Sequence, residues 1–196
     1  MTPVGHALAG VAVGRFGAGG VRVSGTALLA LCVGLSLSPD LDFLPGLLQG
    51  QPALYHQGIS HSIGFALGVS GIVAACLGHR GRPWLATFGL FLAAYASHLV
   101  IDLFGSDARP PYGIPLLWPA LDSYYLAPFV VFRGVRHAAS SATPTAEWFA
   151  AILSWYNLKS ILLEVVTIAP FLLLADFRYR RMRRRALNTA AGRDKY

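Results

Sequence analysis

Apolar residues run along this chain in long stretches, not in the period-two alternation of a half-buried strand, and Gly, Pro and short basic turns separate the stretches. Thr2-Pro3 opens the first, a capping hydroxyl followed by proline at the first helical position, which predicts a short helix to about Gly14. Gly10 and Gly14, four residues apart, suit close packing against another helix. Residues 26–37 are apolar but fall short of the roughly 20 needed to span a bilayer, and the run stops at Ser38-Pro39. Residues 45–52 read as a loop. Residues 62–78 form an apolar helix at the lower edge of spanning length, with Ser60-His61 expected to cap it. Residues 84–104 give the clearest span, interrupted only by Thr87, Ser97, His98 and Asp102. After a mixed, proline-rich stretch from 105 to 146, an amphipathic helix at 147–156 leads into a final apolar run at 158–177, with a kink expected at Pro170.

Composition sharpens this pattern into a class. Only 13% of the 196 residues are charged and 55% are hydrophobic, with a mean hydropathy of +0.52. Ordinary soluble domains carry about a quarter charged residues. The expected fold is therefore all-α, a polytopic membrane helical bundle with short and interfacial helices around a His/Asp site. One embedded domain is expected over 1–177, followed by a basic cytoplasmic tail over 178–196. The start of the chain lacks the basic segment of a cleavable signal peptide. Cys32 and Cys76 lie in apolar helices without CxxC partners and read as packing residues.

The net charge of +7 is informative through its placement. Six arginines fall within 178–185, directly after the last apolar run, where they read as a positive-inside anchor meeting anionic headgroups. That position argues against a nucleic-acid partner, which would want basic residues spread over a soluble face. Placing the 79–83 turn, the 178–185 run, Arg15 and Arg22 on the cytoplasmic side brings His6, Asp40, His61 and His98–Asp102 together on the other. His79 and His137, beside arginines, read as solvated surface.

Where charge is scarce, its clusters carry chemistry. His6, Asp40 with Asp42, His56 with His61, and His98 with Asp102 supply four imidazoles and three carboxylates. His98 and Asp102 are one helical turn apart on one face. A carboxylate at the centre of a membrane helix costs about 2.5–3.5 kcal/mol on insertion scales, so Asp102 requires a partner or an ion. With neutral imidazoles the set carries a charge of −3, and two divalent ions would bring it to +1. Mixed His/Asp sets suit zinc, manganese or iron, with zinc the default for hydrolysis. One of Asp40, Asp42 and Asp102 could serve as a proton acceptor instead of a ligand. Intramembrane His and Asp also mark ion and proton relays, so a non-enzymatic carrier or a metal-stabilised scaffold is the alternative. Glu164, early in the last run, reads as a partner to the cluster or to Lys159.

At these residues the chain resembles the YdjM-like family of inner-membrane, metal-dependent hydrolase-like proteins. The family pattern stands here as Gly5-His6, Pro39-Asp40-Leu41-Asp42, His56-Gln57-Gly58-Ile59-Ser60-His61-Ser62, His98-Leu99-Val100-Ile101-Asp102 and Gly113-Ile114-Pro115-Leu116-Leu117-Trp118-Pro119, in order across residues 5–119. The resemblance implies an inner-membrane, multi-pass protein with metal ligands His6, Asp40, Asp42, His56, His61, His98 and Asp102, of which Asp40 and Asp102 are the catalytic candidates. It also implies a distant similarity to the helical, zinc-dependent phospholipase C group. The implied activity is hydrolysis of a phosphoester in a lipid or lipid-linked substrate by a metal-activated water, with two divalent ions as cofactors and the bilayer as partner. Gln57 stands where the family commonly has Arg, a natural phosphate clamp, and Ser60 replaces Thr with the hydroxyl kept. Gln57, Ser60 and Trp118 are the substrate-binding candidates. For Trp118 the competing expectation is an apolar wedge packed against the helices.

Overall fold

The computed structural model describes residues 1–196 apart from 22, 24, 78–81, 108–109, 137–142 and 194–196, together with the side chains of all but 82, 186, 187 and 189–193 of the remainder. His79 and His137 lie outside the described residues, as do Arg22 and most of the 79–83 turn. The architecture is all-helical: α1 (Pro3–Gly17), α2 (Gly25–Leu37), α3 (Phe43–Leu48), α4 (Ile63–Cys76), α5 (Arg82–Leu103), α6 (Thr145–Ile152) and α7 (Trp155–Arg193), with 3-10 turns at Ser38–Asp42, Pro52–Leu54 and Ile59–His61. Extended backbone elsewhere makes two isolated bridges, Gly105 with Phe132 and Ile114 with Tyr125.

Among the described residues, three segments are long and apolar enough to cross a membrane: Gly25–Leu48, Pro83–Leu103 and Trp155–Arg185. The first corrects the expectation that the second apolar run is too short. Pro39 sits at the start of the 3-10 turn, where its missing N–H costs least, and the chain continues through that turn into α3. Most of the loop expected at 45–52 is therefore helical, with Pro45 in the first turn of α3 and a 3-10 turn from Pro52. The result is one apolar segment of 24 residues broken by Ser38–Asp42. Irregular backbone at membrane depth is tolerated where it lines a polar interior instead of lipid. Here the break carries both carboxylates of the Pro-Asp-Leu-Asp motif.

α1 packs against α2, α5 and α7. The Gly10 and Gly14 expectation holds: a Cβ on Gly10 would lie 2.8 Å from the carbonyl oxygen of Cys32 and 2.9 Å from the Cα of Val33. Only glycine allows this approach of α1 to α2. The core between α2, α4 and α5 is built from Leu28, Cys32, Leu35, Ala66, Phe91, Ala94, Tyr95 and Leu99. The other faces of α7 stay apolar and exposed, with Val166 and Leu173 each 70% exposed, as a lipid-facing surface requires. α7 runs without interruption through Pro170 and on into the basic run.

The strip at residues 113–119 packs on the start of α4. Ile63 N–H donates to the Leu116 carbonyl at 2.9 Å and Gly64 N–H to that of Trp118 at 3.2 Å, satisfying donors that a helix start leaves over. The α4 cap itself is Ser62, whose hydroxyl accepts from the Phe65 N–H at 3.1 Å, so the cap lies one residue beyond the expected Ser60-His61 pair.

Candidate metal centre

Seven ionisable side chains from α1, the 38–42 turn, the segment 56–61 and α5 meet at one end of the bundle. Each arrives by a local device. α1 points its first turns inward because its N-terminus is held by α7: buried Glu164 accepts from the Thr2 N–H at 2.9 Å and from the Thr2 hydroxyl, while that hydroxyl accepts from Gly5 N–H at 3.3 Å. No ion pair between Glu164 and Lys159 occurs among the described residues, so Glu164 serves α1 instead. Gly5 is required at this junction, since a Cβ would lie 2.5 Å from a Glu164 oxygen. The amino group of Met1 lies 2.6 Å from Asp102 Oδ1.

The imidazoles are oriented by partners behind them. His98 Nδ1 donates to the Ser36 carbonyl at 2.8 Å, which places its proton on that nitrogen and leaves Nε2 with a bare lone pair facing the cluster. Ser36 also donates from its hydroxyl to the His6 carbonyl at 2.7 Å, locking α1 to α2 beside the site. His61 Nδ1 lies 3.2 Å from Asp42 Oδ2 and 3.1 Å from the Ser60 hydroxyl, which itself donates to Asp42 at 3.1 Å. Asp42 Oδ1 is 3.0 Å from His56 Nδ1. Tyr95 donates to the Ser60 carbonyl at 2.7 Å and fixes that turn from below. His6 stacks on His98 at 3.7 Å, and His56 on Phe43 at 3.8 Å.

Between these supports the ligand atoms converge. His61 Nε2 and His98 Nε2 face each other at 3.1 Å. Asp102 Oδ2 completes a triangle with them at 3.5 and 3.0 Å, and Asp40 Oδ1 completes another at 3.7 and 3.6 Å. A tetrahedral shell with bonds of about 2.1 Å has ligand–ligand edges of about 3.4 Å. Both triangles match that spacing. His6 Nε2 lies 3.4 Å from the other oxygen of Asp102, and His56 Nδ1 lies 3.9 Å from Asp40 Oδ1. The atoms fall into two groups of metal-binding size, His6 with His98 and Asp102, and Asp40 with His56 and His61, joined across the facing imidazoles.

The donors fit divalent cations on this chain's own chemistry. Among the described residues neither ring nitrogen of fully buried His6 has a hydrogen-bond partner, which is costly unless a cation takes a lone pair. Two imidazole lone pairs at 3.1 Å likewise need a proton or a cation between them. Burial opposes charge on His61, but Asp40 and Asp42 outweigh it and hold the proton on that ring up to about 10; burial pushes His56 down. The carboxylates thus favour positive charge where the imidazoles meet.

Two openings lead toward the cluster. A cavity of about 360 Å³ is lined by His56, Gln57, Gly58, Pro110, Pro111 and Tyr124. An apolar groove of about 670 Å³ runs past Asp42 and Ser60 between Leu41, Ile59, Phe65 and Val69. Gln57 adopts φ of 64°, a left-handed conformation unusual outside glycine, at the mouth of the first. Ser60 borders the second while its hydroxyl is engaged with Asp42. Trp118 borders neither of them; its carbonyl serves α4, in line with the wedge expectation. The seven expected ligands therefore come together, with Gln57 and Ser60 at the rim. Ser36, Tyr95 and the Glu164–Thr2 clasp are supports that sequence reading did not assign. Only Glu164 had a visible signal, a lone carboxylate in an apolar run.

The family model described as YdjM inner membrane protein matches residues 1–182. The chain belongs to that family. It is a membrane protein of the inner-membrane type, and the three apolar segments found among its described residues are consistent with a lipid bilayer around it. No curated protein and no solved structure matches the chain.

Proposed function

We propose that this chain is a multi-pass, metal-dependent hydrolase that cleaves a phosphoester in a lipid or lipid-linked substrate. The observation that carries the reading is the pair of facing imidazole nitrogens of His61 and His98, 3.1 Å apart and flanked by Asp40 and Asp102. His6, His98 and Asp102 would hold one divalent cation, and Asp40, His56 and His61 a second, zinc being the ion best suited to this donor set. Such ions supply Lewis acidity and lower the pKa of a coordinated water toward about 7.

The chain's own residues do the rest. Asp42 and Ser60 keep the His61 ring turned so that Nε2 faces inward, and the Ser36 carbonyl does the same for His98. Asp40 and Asp102 present carboxylate oxygens to both groups and are the candidates to take a proton. The apolar groove beside Asp42 and Ser60 accepts the hydrocarbon part of a lipid, while Gln57 borders the polar cavity where a headgroup would lie. The basic run and the cluster occupy opposite ends of α1, which supports a site on the face away from the cytoplasm.

The test is metal determination on detergent-purified protein followed by turnover on a phospholipid and prenyl-phosphate panel. About two equivalents of zinc or manganese with metal-dependent turnover support the reading. A folded, metal-free protein would sink it, and bound metal without turnover would favour a structural or transport role. Asp42→Asn should keep the fold and weaken metal affinity by about 10–100-fold, the usual cost of removing a group that orients ligands. Dialysis against graded chelator measures it.

A further inference from the structure

At the end of α1 opposite the metal centre lies a second cavity, of about 460 Å³, bounded by Gly14, Arg15, Ala18, Thr26, Tyr179 and Arg183. With a rise of about 1.5 Å per residue, the stretch of α1 from His6 to the cavity separates the two by roughly 12–18 Å. The cavity sits where the Gly25–Leu48 segment begins and where Trp155–Arg185 ends, the level of a bilayer–water boundary. Its volume lies within the range of about 300–1,000 Å³ typical of ligand sites.

The charges around it are organised and in excess. Arg15 Nη1 pairs with Asp176 Oδ1 at 3.2 Å, and its guanidinium lies 4.7 Å above the Tyr179 ring. Arg180 Nε takes the other Asp176 oxygen at 2.5 Å. Arg183 makes no hydrogen bond or ion pair with any described residue, although it lines the cavity. Three guanidiniums against one carboxylate leave +2 at this corner. Arg15 is held in place from two sides and has donors to spare, since a guanidinium carries five N–H groups. The Thr26 hydroxyl adds a neutral donor. Gly14, Ala18 and Leu29 make the remaining wall small or apolar, which suits a ligand whose charged part continues into hydrocarbon.

We propose that this cavity binds the phosphate of an anionic phospholipid, with Arg183 and Arg15 as its charge partners and Thr26 as a hydrogen-bond donor. The site is separate from the metal centre and clamps α1, α2 and α7 together at the membrane boundary.

Native mass spectrometry of the full chain, titrated with phosphatidylglycerol, phosphatidylcholine or inorganic phosphate, tests this. Phosphatidylglycerol should be retained in preference to phosphatidylcholine. Arg183→Gln should lose about fivefold or more of that binding, whereas Arg184→Gln, the same charge change on an exposed arginine outside the cavity, should stay within about twofold. Thr26→Leu, which fills the cavity without altering charge, should also lose it, with metal content at the other end unchanged. Equal losses in Arg183→Gln and Arg184→Gln would mean a diffuse basic belt and overturn the proposal. So would equal retention of the two lipids, or binding of inorganic phosphate without phosphatidylglycerol.

Discussion

Asp102→Ala and His61→Ala are each expected to empty the cluster of metal and to lower phosphoester turnover by about a thousandfold or more, the scale on which metal-activated chemistry stands above its metal-free background. Asp102 is the stronger test because its two oxygens serve different neighbours. Oδ1 faces His6 and the Met1 amine, while Oδ2 faces His98 and His61. Removing it takes a ligand from the triangle it forms with His61 and His98 and from the group it forms with His6 and His98. Asp102→Asn keeps the volume and one acceptor oxygen, so it separates loss of charge from loss of packing. Metal content by elemental analysis, read beside thermal unfolding, decides the matter. Folded variants that keep their metal would refute the ligand assignment. Acid should mimic these variants, because imidazoles must shed protons before they can bind a cation, so retention falls as pH is lowered.

Gly10→Leu is expected to destabilise the protein by about 3 kcal/mol or more, at the upper end of what overpacking costs. The atoms a side chain would meet at Gly10 are backbone, the Cys32 carbonyl oxygen at 2.8 Å and the Val33 Cα at 2.9 Å, and neither can swing aside. α1 would have to move away from α2. That motion would also break the Ser36 hydrogen bond to the His6 carbonyl and unstack His6 from His98, so metal should be lost along with stability. Gly34→Ala is the matched control: nothing lies within 4 Å of its added carbon, and an alanine in a helix gains about 0.5–1 kcal/mol over glycine. Thermal unfolding in detergent compares the two. If the substitutions behaved alike, the close approach of α1 to α2 would carry no energetic weight.

Much of the candidate metal centre was legible because charge is scarce. In a chain that is 13% charged, an aspartate in an apolar helix has few explanations, and His98 with Asp102 at one-turn spacing shows which face it occupies. Asp40 and Asp42 were readable as ligand candidates from the proline before them, which marks backbone free to aim carboxylates. Where the reading failed, it failed on local punctuation. Pro45, Gly46 and Pro52 look like a loop, yet α3 continues the apolar segment: Pro45 falls in its first turn, where a missing N–H costs little, and Leu44, Leu47 and Leu48 stay exposed on its surface. Trp118 gives its carbonyl to the start of α4, in line with the apolar wedge that was the competing expectation for it.

By itself, then, the sequence determined the solvent and the donors: a bilayer, because the apolar runs are long and charge is scarce, and a His/Asp set, because the few histidines and aspartates cluster at or near the ends of those runs. Tertiary structure alone decided which donors meet and what holds them. Glu164 and Thr2 are 162 residues apart, and Ser36 and His98 are 62 apart; no periodicity links such pairs. Their hydrogen bonds exist because α1, α2, α5 and α7 pack at one end, and buried polar groups must find whatever partners that packing brings within reach.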